Sequence, residues 1–304
     1  DITMKKTIIA AAIATVIAAP AMADVSVSGV VEQTFTDTDS VTDTGLASGT
    51  DSGLTFKASE DLGNGLTAFA QISLDTDNQD SATRIGNSEK DSKVGIKGGF
   101  GTVVVGRMED FTEGVMAATM TLNGTGAIEL GGNATRNNGA VAYVSPTVNG
   151  FHAGVAGYTA AITGEDDNFD ATDIIVAYSN GPLTVMASQE SMSAATAAAI
   201  GTGIAEETTS FAVKYGMGDL SAAALFVNRD AGATDSDDVM LRVDYKMGNN
   251  KITLAHADDE SADNKIVGLE LTHSMSKRTS AYVGMTDADA ANTDTTYFGM
   301  IHKF

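Results

Sequence analysis

Four histidines, a scatter of carboxylates and a few guanidinium groups are the residues in this chain that could do chemistry. His256 stands just before Asp258, Asp259 and Glu260, where a general base beside acids is conceivable. No Gly-x-Ser-x-Gly elbow accompanies it, and His152, His273 and His302 fall in runs that read as strands, so catalysis is not expected. The acid-rich stretches Asp235-Ser236-Asp237-Asp238 and Asp258-Asp259-Glu260 could attract Ca2+ or Mg2+. They lack the ligand spacing and the glycine of an EF-hand loop and read as solvated acid. Charges of both signs gather on one long connection, Met108 to Asn138. Arg107 precedes it, Glu109, Asp110 and Glu113 open it, Glu129 lies within it and Arg136 stands near its end. A connection of that length in a compact fold is usually functional. No cofactor and no bound metal are expected.

The elements that must hold this connection are legible in the final stretch, Thr295 to Phe304. Alternate positions give one face of Phe298, Met300, His302 and Phe304, and an opposite face of Tyr297, Gly299 and Lys303 with Ile301 among them. An apolar face backed by a wetter one suits a strand with lipid on one side and water on the other. A terminal strand with an open edge needs a partner. Val25 to Phe35, which alternates Val25, Val27, Val31 and Phe35 with Ser26, Ser28, Glu32 and Thr34, is the expected one. That pairing closes a barrel.

The first residues and the composition agree with an exported membrane barrel. Lys5-Lys6 precede an uncharged run from Thr7 to Ala19, followed by Pro20-Ala21-Met22-Ala23. This reads as a secretory signal peptide cleaved after Ala23, with Asp1-Ile2-Thr3 lying upstream of the start at Met4. Residues 24–304 would then form one domain, and 304 less 23 leaves 281 residues. No later apolar run is long enough for a spanning helix, so a membrane form must be a closed barrel. The absence of Cys excludes a disulfide framework. Asp and Glu total 40 against 18 Lys and Arg, a balance that disfavours nucleic acid and anionic lipid and favours nearby cations.

Period-two runs separated by turn signals divide the chain into about 16 strands, an even number as single-chain bacterial barrels have. Tight turns such as Asp61-Leu62-Gly63-Asn64-Gly65, Asn180-Gly181-Pro182 and Gly248-Asn249-Asn250 alternate with long polar connections. Turns therefore collect at one end, expected to be periplasmic, and loops at the other. The Ala-rich segment Ser191 to Glu207 is expected to hold a short helix within a loop, since Ala is the best helix former.

The ending Tyr297-Phe298-Gly299-Met300-Ile301-His302-Lys303-Phe304 resembles that of the general trimeric porins of Gram-negative outer membranes. The resemblance extends through Gly101-Thr102-Val103-Val104-Val105-Gly106-Arg107, Arg136-Asn137-Asn138, Tyr143-Val144-Ser145-Pro146, Gly150-Phe151, Asn180-Gly181-Pro182-Leu183 and Ser276-Lys277-Arg278-Thr279. It implies an all-β transmembrane antiparallel barrel whose long third loop, Met108 to Asn138, folds into the lumen and narrows it. Arg107 matches the family's wall arginine. Ala127-Ile128-Glu129-Leu130-Gly131-Gly132 resembles a Pro-Glu-Phe-Gly-Gly tip, which makes Glu129 the constriction carboxylate, with Ile and Leu standing in for Pro and Phe. Glu109, Asp110 and Glu113 would add negative charge there, and Arg136 would return to the basic wall.

The resemblance also implies a homotrimer in outer-membrane lipid and lipopolysaccharide, passing small hydrophilic solutes and ions without covalent chemistry. The acid excess predicts cation preference. Basic wall positions read as few, with Lys57, Lys97, Lys214, Arg242 and Lys246 as candidates. A substrate-selective channel would want a longer ladder of inward Arg and Lys. A non-conducting structural or adhesive barrel is the other alternative.

Overall fold

A computed structural model describes residues 24–39, 45–48, 52–76, 89–120, 122–123, 136–159, 169–200, 205–231, 235–260, 263–289 and 294–304. The expected signal peptide lies outside the described residues. Strands β1 (Asp24–Thr38), β2 (Gly45–Ser48) and β3 (Gly53–Gly63) lead to β4 (Leu66–Asp75), β5 (Glu89–Gly98) and β6 (Gly101–Glu109). Helix α1 (Phe111–Met120) precedes β7 (Arg136–Val144), β8 (Phe151–Tyr158), β9 (Ala171–Asn180) and β10 (Leu183–Met192). Helix α2 (Ala194–Ile200) precedes β11 (Glu207–Met217), β12 (Leu220–Asp230) and β13 (Asp235–Met247). The chain ends with β14 (Asn250–Asp259), β15 (Asn264–Ser274), β16 (Thr279–Ala288) and β17 (Thr295–Lys303).

β1 pairs antiparallel with both β2 and β3, each strand from β3 onward pairs antiparallel with the next, and β17 returns to β1 in a register running from Val30 opposite Lys303 to Thr38 opposite Thr295. Phe304 and Gly29 exchange both backbone hydrogen bonds at 3.0 Å, so the last residue is zipped into the first strand. Closure leaves no open edge. The barrel has 16 staves, because β2 and β3 are two halves of one. Both pair with β1, Gly45–Ser48 against Gln33–Thr36 and Gly53–Ser59 against Asp24–Val30.

Between the two halves, Ser52 Oγ accepts from Glu32 N at 3.0 Å and donates to Glu32 O at 3.1 Å, standing in for a backbone partner. The strand Val25 to Phe35 read from the sequence thus runs on to Thr38 and is paired there by β2, a stretch the alternation did not mark. Without β2 the upper edge of β1 would be unpaired on that side.

Inside and outside follow from the alternation. In β13, Leu241, Val243 and Tyr245 are 40–48% exposed while Asp238 and Met240 are 1% exposed. In β17, Phe298 and Met300 face outward and Tyr297 and Ile301 are buried inward. Phe100, Tyr143, Phe151, Tyr215 and Tyr245 are exposed outward near the turn end, as an interfacial aromatic girdle requires.

The inner face near the seam is tightly fitted. Tyr282 lies opposite Gly299 and Tyr297 opposite Gly284, each ring covering the facing glycine. A Cβ on either glycine would come within 2.3 Å of the opposing tyrosine ring or hydroxyl. The Tyr282 hydroxyl donates to Glu32 Oε1 at 2.7 Å and is also hydrogen-bonded to Thr34 Oγ1, and the Tyr297 hydroxyl donates to Glu270 Oε2 at 3.2 Å.

Helix α2 forms in the Ala-rich segment as expected. Ser193 caps it, its Oγ accepting from Thr196 N at 3.1 Å.

Candidate functional site: the loop between β6 and β7

Strand β6 delivers the chain into the long connection through a bulge. The register shifts between Gly106 and Met108, and Gly106 has φ +132°. A side chain there is excluded, since a Cβ would lie 2.1 Å from Ser92 O. Arg107 pairs with Ser92, and Ser92 with Ile72, which is 46% exposed on the outside. The slip at Gly106 interrupts the alternation just before Arg107, whose side chain is located by its contacts. Its guanidinium donates to Arg136 O at 2.7 Å and Asn138 Oδ1 at 2.9 Å, tying the start of the connection to its end. The Glu109–Arg136 ion pair, at 2.8 Å, repeats that tie one step further along.

Asp110 then caps α1. Its Oδ1 accepts from Glu113 N at 2.5 Å and its carbonyl from Gly114 N at 3.4 Å. The wall completes the cap: Asp173 Oδ2, on β9, accepts from Phe111 N at 2.5 Å and Thr112 N at 3.1 Å. A carboxylate at the positive end of a helix is favourable for the same reason an anion is. Thr112 Oγ1 also donates to Ser188 Oγ on β10 at 3.1 Å. Glu113 points back toward Glu109. Burial, and then the Glu109 charge, push its carboxyl up to about 7, with Arg136 opposing.

The helix lies against the inner wall. Val115, Met116 and Leu122 pack with Ile175, Ala212, Leu225, Val227, Met240, Ala255 and Ala257, which are inward residues of β9 and β11 to β14. Beyond the helix, Asn123 Nδ2 donates to Glu270 Oε1 at 2.6 Å and to Thr272 Oγ1 at 3.3 Å, both on β15. A segment leaving β6 can reach the inner faces of β9 to β15 only by crossing the lumen. The described part of the connection, α1 through Asn123, is thus folded inside the barrel.

Of the expected site residues, Glu109, Asp110, Glu113 and Arg136 are brought together at the base of this loop, and Arg107 adjoins them through Arg136 O. Glu129 lies outside the described residues. Asp173, Ser188, Asn123 and Glu270, which hold the loop, were not singled out by the sequence. One signal was available: Asp110-Phe111-Thr112-Glu113 has the spacing of a capping box and marks the helix start.

The wall carries more base than the sequence reading allowed. By alternation Lys57, Lys97, Lys214, Arg242 and Lys246 all face inward, joined by Lys93, Lys251 and Lys303. Most stand within a few residues of the tight turns. Some are matched locally: Arg242 Nη2 bonds Asp244 Oδ1 at 2.9 Å, and Lys93 Nζ bonds Asp91 Oδ2 at 3.3 Å. The loop end is acidic, with Asp37, Asp75, Asp230, Asp235, Asp237, Glu260, Asp263, Asp287, Asp289 and Asp294 at or just beyond the strand termini. His256, the one candidate base, shares the outward face with its cross-strand neighbours Leu241 and Val267.

A closed barrel that is apolar outside and polar inside, with the helix of its long connection packed on the inner wall, defines a membrane-spanning β-barrel of the pore-forming class. The chain belongs to the Gram-negative porin family, whose pattern matches residues 10–293. Outer membrane porin protein 32 of Delftia acidovorans is 27% identical, over 99% of this chain and 93% of that one. Major outer membrane protein P.IB of Neisseria gonorrhoeae is 34% identical over 50% of this chain and 47% of that one.

Among solved structures, an anion-selective porin from Comamonas acidovorans superposes with a TM-score of 0.71 at 22% identity, covering 93% of this chain and all of that one. OmpF of Salmonella typhi gives 0.72 at 14% identity, covering 93% and 97%. These two share the fold. The family and its relatives place the chain in the outer membrane of a Gram-negative bacterium.

Proposed function

We propose that this porin is a water-filled channel for passive diffusion of small hydrophilic solutes and ions, acting as a homotrimer and without catalysis. The observation that carries this reading is the anchoring of α1 and Asn123 to the inner wall of a closed barrel, which puts the start of the long connection inside the lumen. Selectivity in such a channel is set by pore radius and by charge at close quarters. Glu109, Glu113 and Arg136 bring both signs to the loop base, and Glu129 is the carboxylate assigned to its tip. Asp110 acts beneath them as a cap, and Arg107 fastens the loop's ends.

The chain prefers cations on this reading, and the ring of carboxylates at the loop end supports that preference by concentrating cations at that mouth. The inward lysines and arginines oppose it. The anion selectivity of the Comamonas protein is that protein's own. Residues 1–23 are removed on export, and the loop end faces the lipopolysaccharide leaflet. A purified barrel in a planar bilayer under a salt gradient tests the reading. A reversal potential of cationic sign supports it, an anionic sign overturns the preference, and absence of current overturns the channel.

A further inference from the structure

The inner wall of β3 to β6 near the tight turns is mostly polar, and Phe69 breaks that pattern. Register and alternation put Lys57, Gln71, Lys97 and Thr102 on its face, with Phe56, Ile72 and Val103 exposed on the opposite one. The Phe69 ring lies over Gly95, its partner across β4 and β5, where a Cβ would come 2.5 Å from the ring. Tyr282 and Tyr297 cover glycines in the same way, but they are 4% and 1% exposed. Phe69 stays partly exposed and lines a cavity of about 600 Å3 on the lumenal wall.

Two ammonium groups flank this ring along the barrel axis. Lys57, opposite Gln71, stands one inward step from Phe69 away from the turns, and Lys97, opposite Thr67, stands one inward step toward them. Such a step is about 7 Å, within the reach of a lysine and a small aromatic acid together. Both lysines line the cavity, and neither has an ion pair or side-chain hydrogen bond among the described residues. Lys93 on the same wall is matched by Asp91 at 3.3 Å, and Gln71 Nε2 donates to that carboxylate at 2.8 Å. Asp24 brings an acid to the cavity, while Asp61 is occupied within its own turn, accepting from Gly63 N at 2.8 Å. Two cations against one anion leave the cavity positive. A cation seated on the ring would meet both lysines, and an inorganic anion would leave the ring in water. The solute that uses every part of the cavity carries a negative charge on a flat apolar body.

We propose that this cavity is a subsite for small aromatic carboxylates, whose ring stacks on Phe69 while the carboxylate pairs with Lys57 or Lys97. Ring stacking and an exposed ion pair are each modest, so a solute is held briefly and released, as conduction requires. With a lysine on each side of the ring, the carboxylate passes from one to the other as the solute moves along the axis. The subsite acts at the turn end, away from the carboxylates of the loop end that favour cations. It rests on the channel reading and deepens it by naming a solute class that the lumen retains.

The test adds sodium benzoate, sodium acetate or benzylammonium chloride to both sides of a planar bilayer holding the full barrel, which separates the ring, the carboxylate and the sign of charge. Benzoate should reduce the single-channel current at a concentration about threefold or more below that of acetate or benzylammonium. Phe69→Leu keeps an apolar side chain over Gly95 and should raise the benzoate concentration required by about three- to tenfold, with acetate unchanged. Lys57→Gln combined with Lys97→Gln should weaken benzoate and acetate together and remove the advantage of benzoate over benzylammonium. Should Phe69→Leu fail to fold, that double variant decides. Benzoate acting no better than acetate or benzylammonium, or acting unchanged in a folded variant, overturns the proposal. Ligand-observed NMR of benzoate with the barrel in lipid nanodiscs, compared with Phe69→Leu, reads the subsite without current. A binding difference in a barrel that passes no current sinks the channel reading alone, and current without a binding difference sinks the subsite alone.

Discussion

Replacing Met116 with Ala tests whether the lumenal loop is held as a unit separate from the barrel. Met116 is 2% exposed and packs among Leu225, Val227 and Met240 on the inner wall. Truncating a buried Met to Ala costs about 2 to 5 kcal/mol in closed cores. This site borders a wet lumen and has Phe111 and Met186 at its edge to relax inward, so the lower end, about 2 kcal/mol, applies. Ala keeps the helix propensity intact, and the contacts of Asp173 and Asn123 are untouched. At 1.4 kcal/mol per factor of ten, the ratio of undocked to docked loop should rise about 30-fold.

Single-channel recording reads this as the fraction of time spent away from the main conductance level. The seam between β1 and β17 does not involve Met116, so the heat-modifiable mobility of the folded barrel in detergent should not change. Noise that rises less than about threefold in a folded variant would refute the separation of loop and wall. So would a fall in barrel stability of the same size as the expected docking loss, because it would mean that helix and barrel melt together.

Glu113 makes loop docking pH-dependent in its own right. Its carboxyl is raised from 4.5 to about 7, so the docked loop is favoured fully below 4.5 and loses that contribution as pH rises through about 7. Glu113→Gln should remove the corresponding change in current noise across that interval. Gly299→Ala places a Cβ 2.3 Å from the Tyr282 hydroxyl and 2.5 Å from Gln33 O. Overpacking of this kind costs about 1 to 3 kcal/mol, and a lowered urea midpoint of the reconstituted barrel checks it. Glu129→Gln should lower cation selectivity while leaving the barrel intact, and an unchanged reversal potential would remove Glu129 from the constriction.

The fold was legible because a strand with lipid on one side and water on the other writes its environment at every second residue. Val239, Leu241, Val243 and Tyr245 against Asp238, Arg242 and Asp244 give the inner and outer faces of β13 before any coordinates are known. What alternation cannot write is whatever interrupts it. The slip at Gly106 and the gap filled by Ser52 each break the period, and β2, on the far side of that gap, was not marked by alternation. Helix α1 was also passed over, although its capping spacing was present, because a segment between two strands offers no second element in sequence for its apolar side to match. That side matches Ile175, Leu225, Val227 and Met240, which lie across the lumen and far along the chain.

The same limit explains why Asp173 and Ser188 were invisible as site residues. In sequence each is one more polar residue on an inward parity, no different from Thr208 or Ser210. Their significance comes from the loop that covers them, whose first turn donates to both. A barrel can leave dozens of inward polar residues to solvent at little cost. Only where a second element lies on the wall does an inward carboxyl lose its water, and there, as at Asp173, the amides of that element take the water's place.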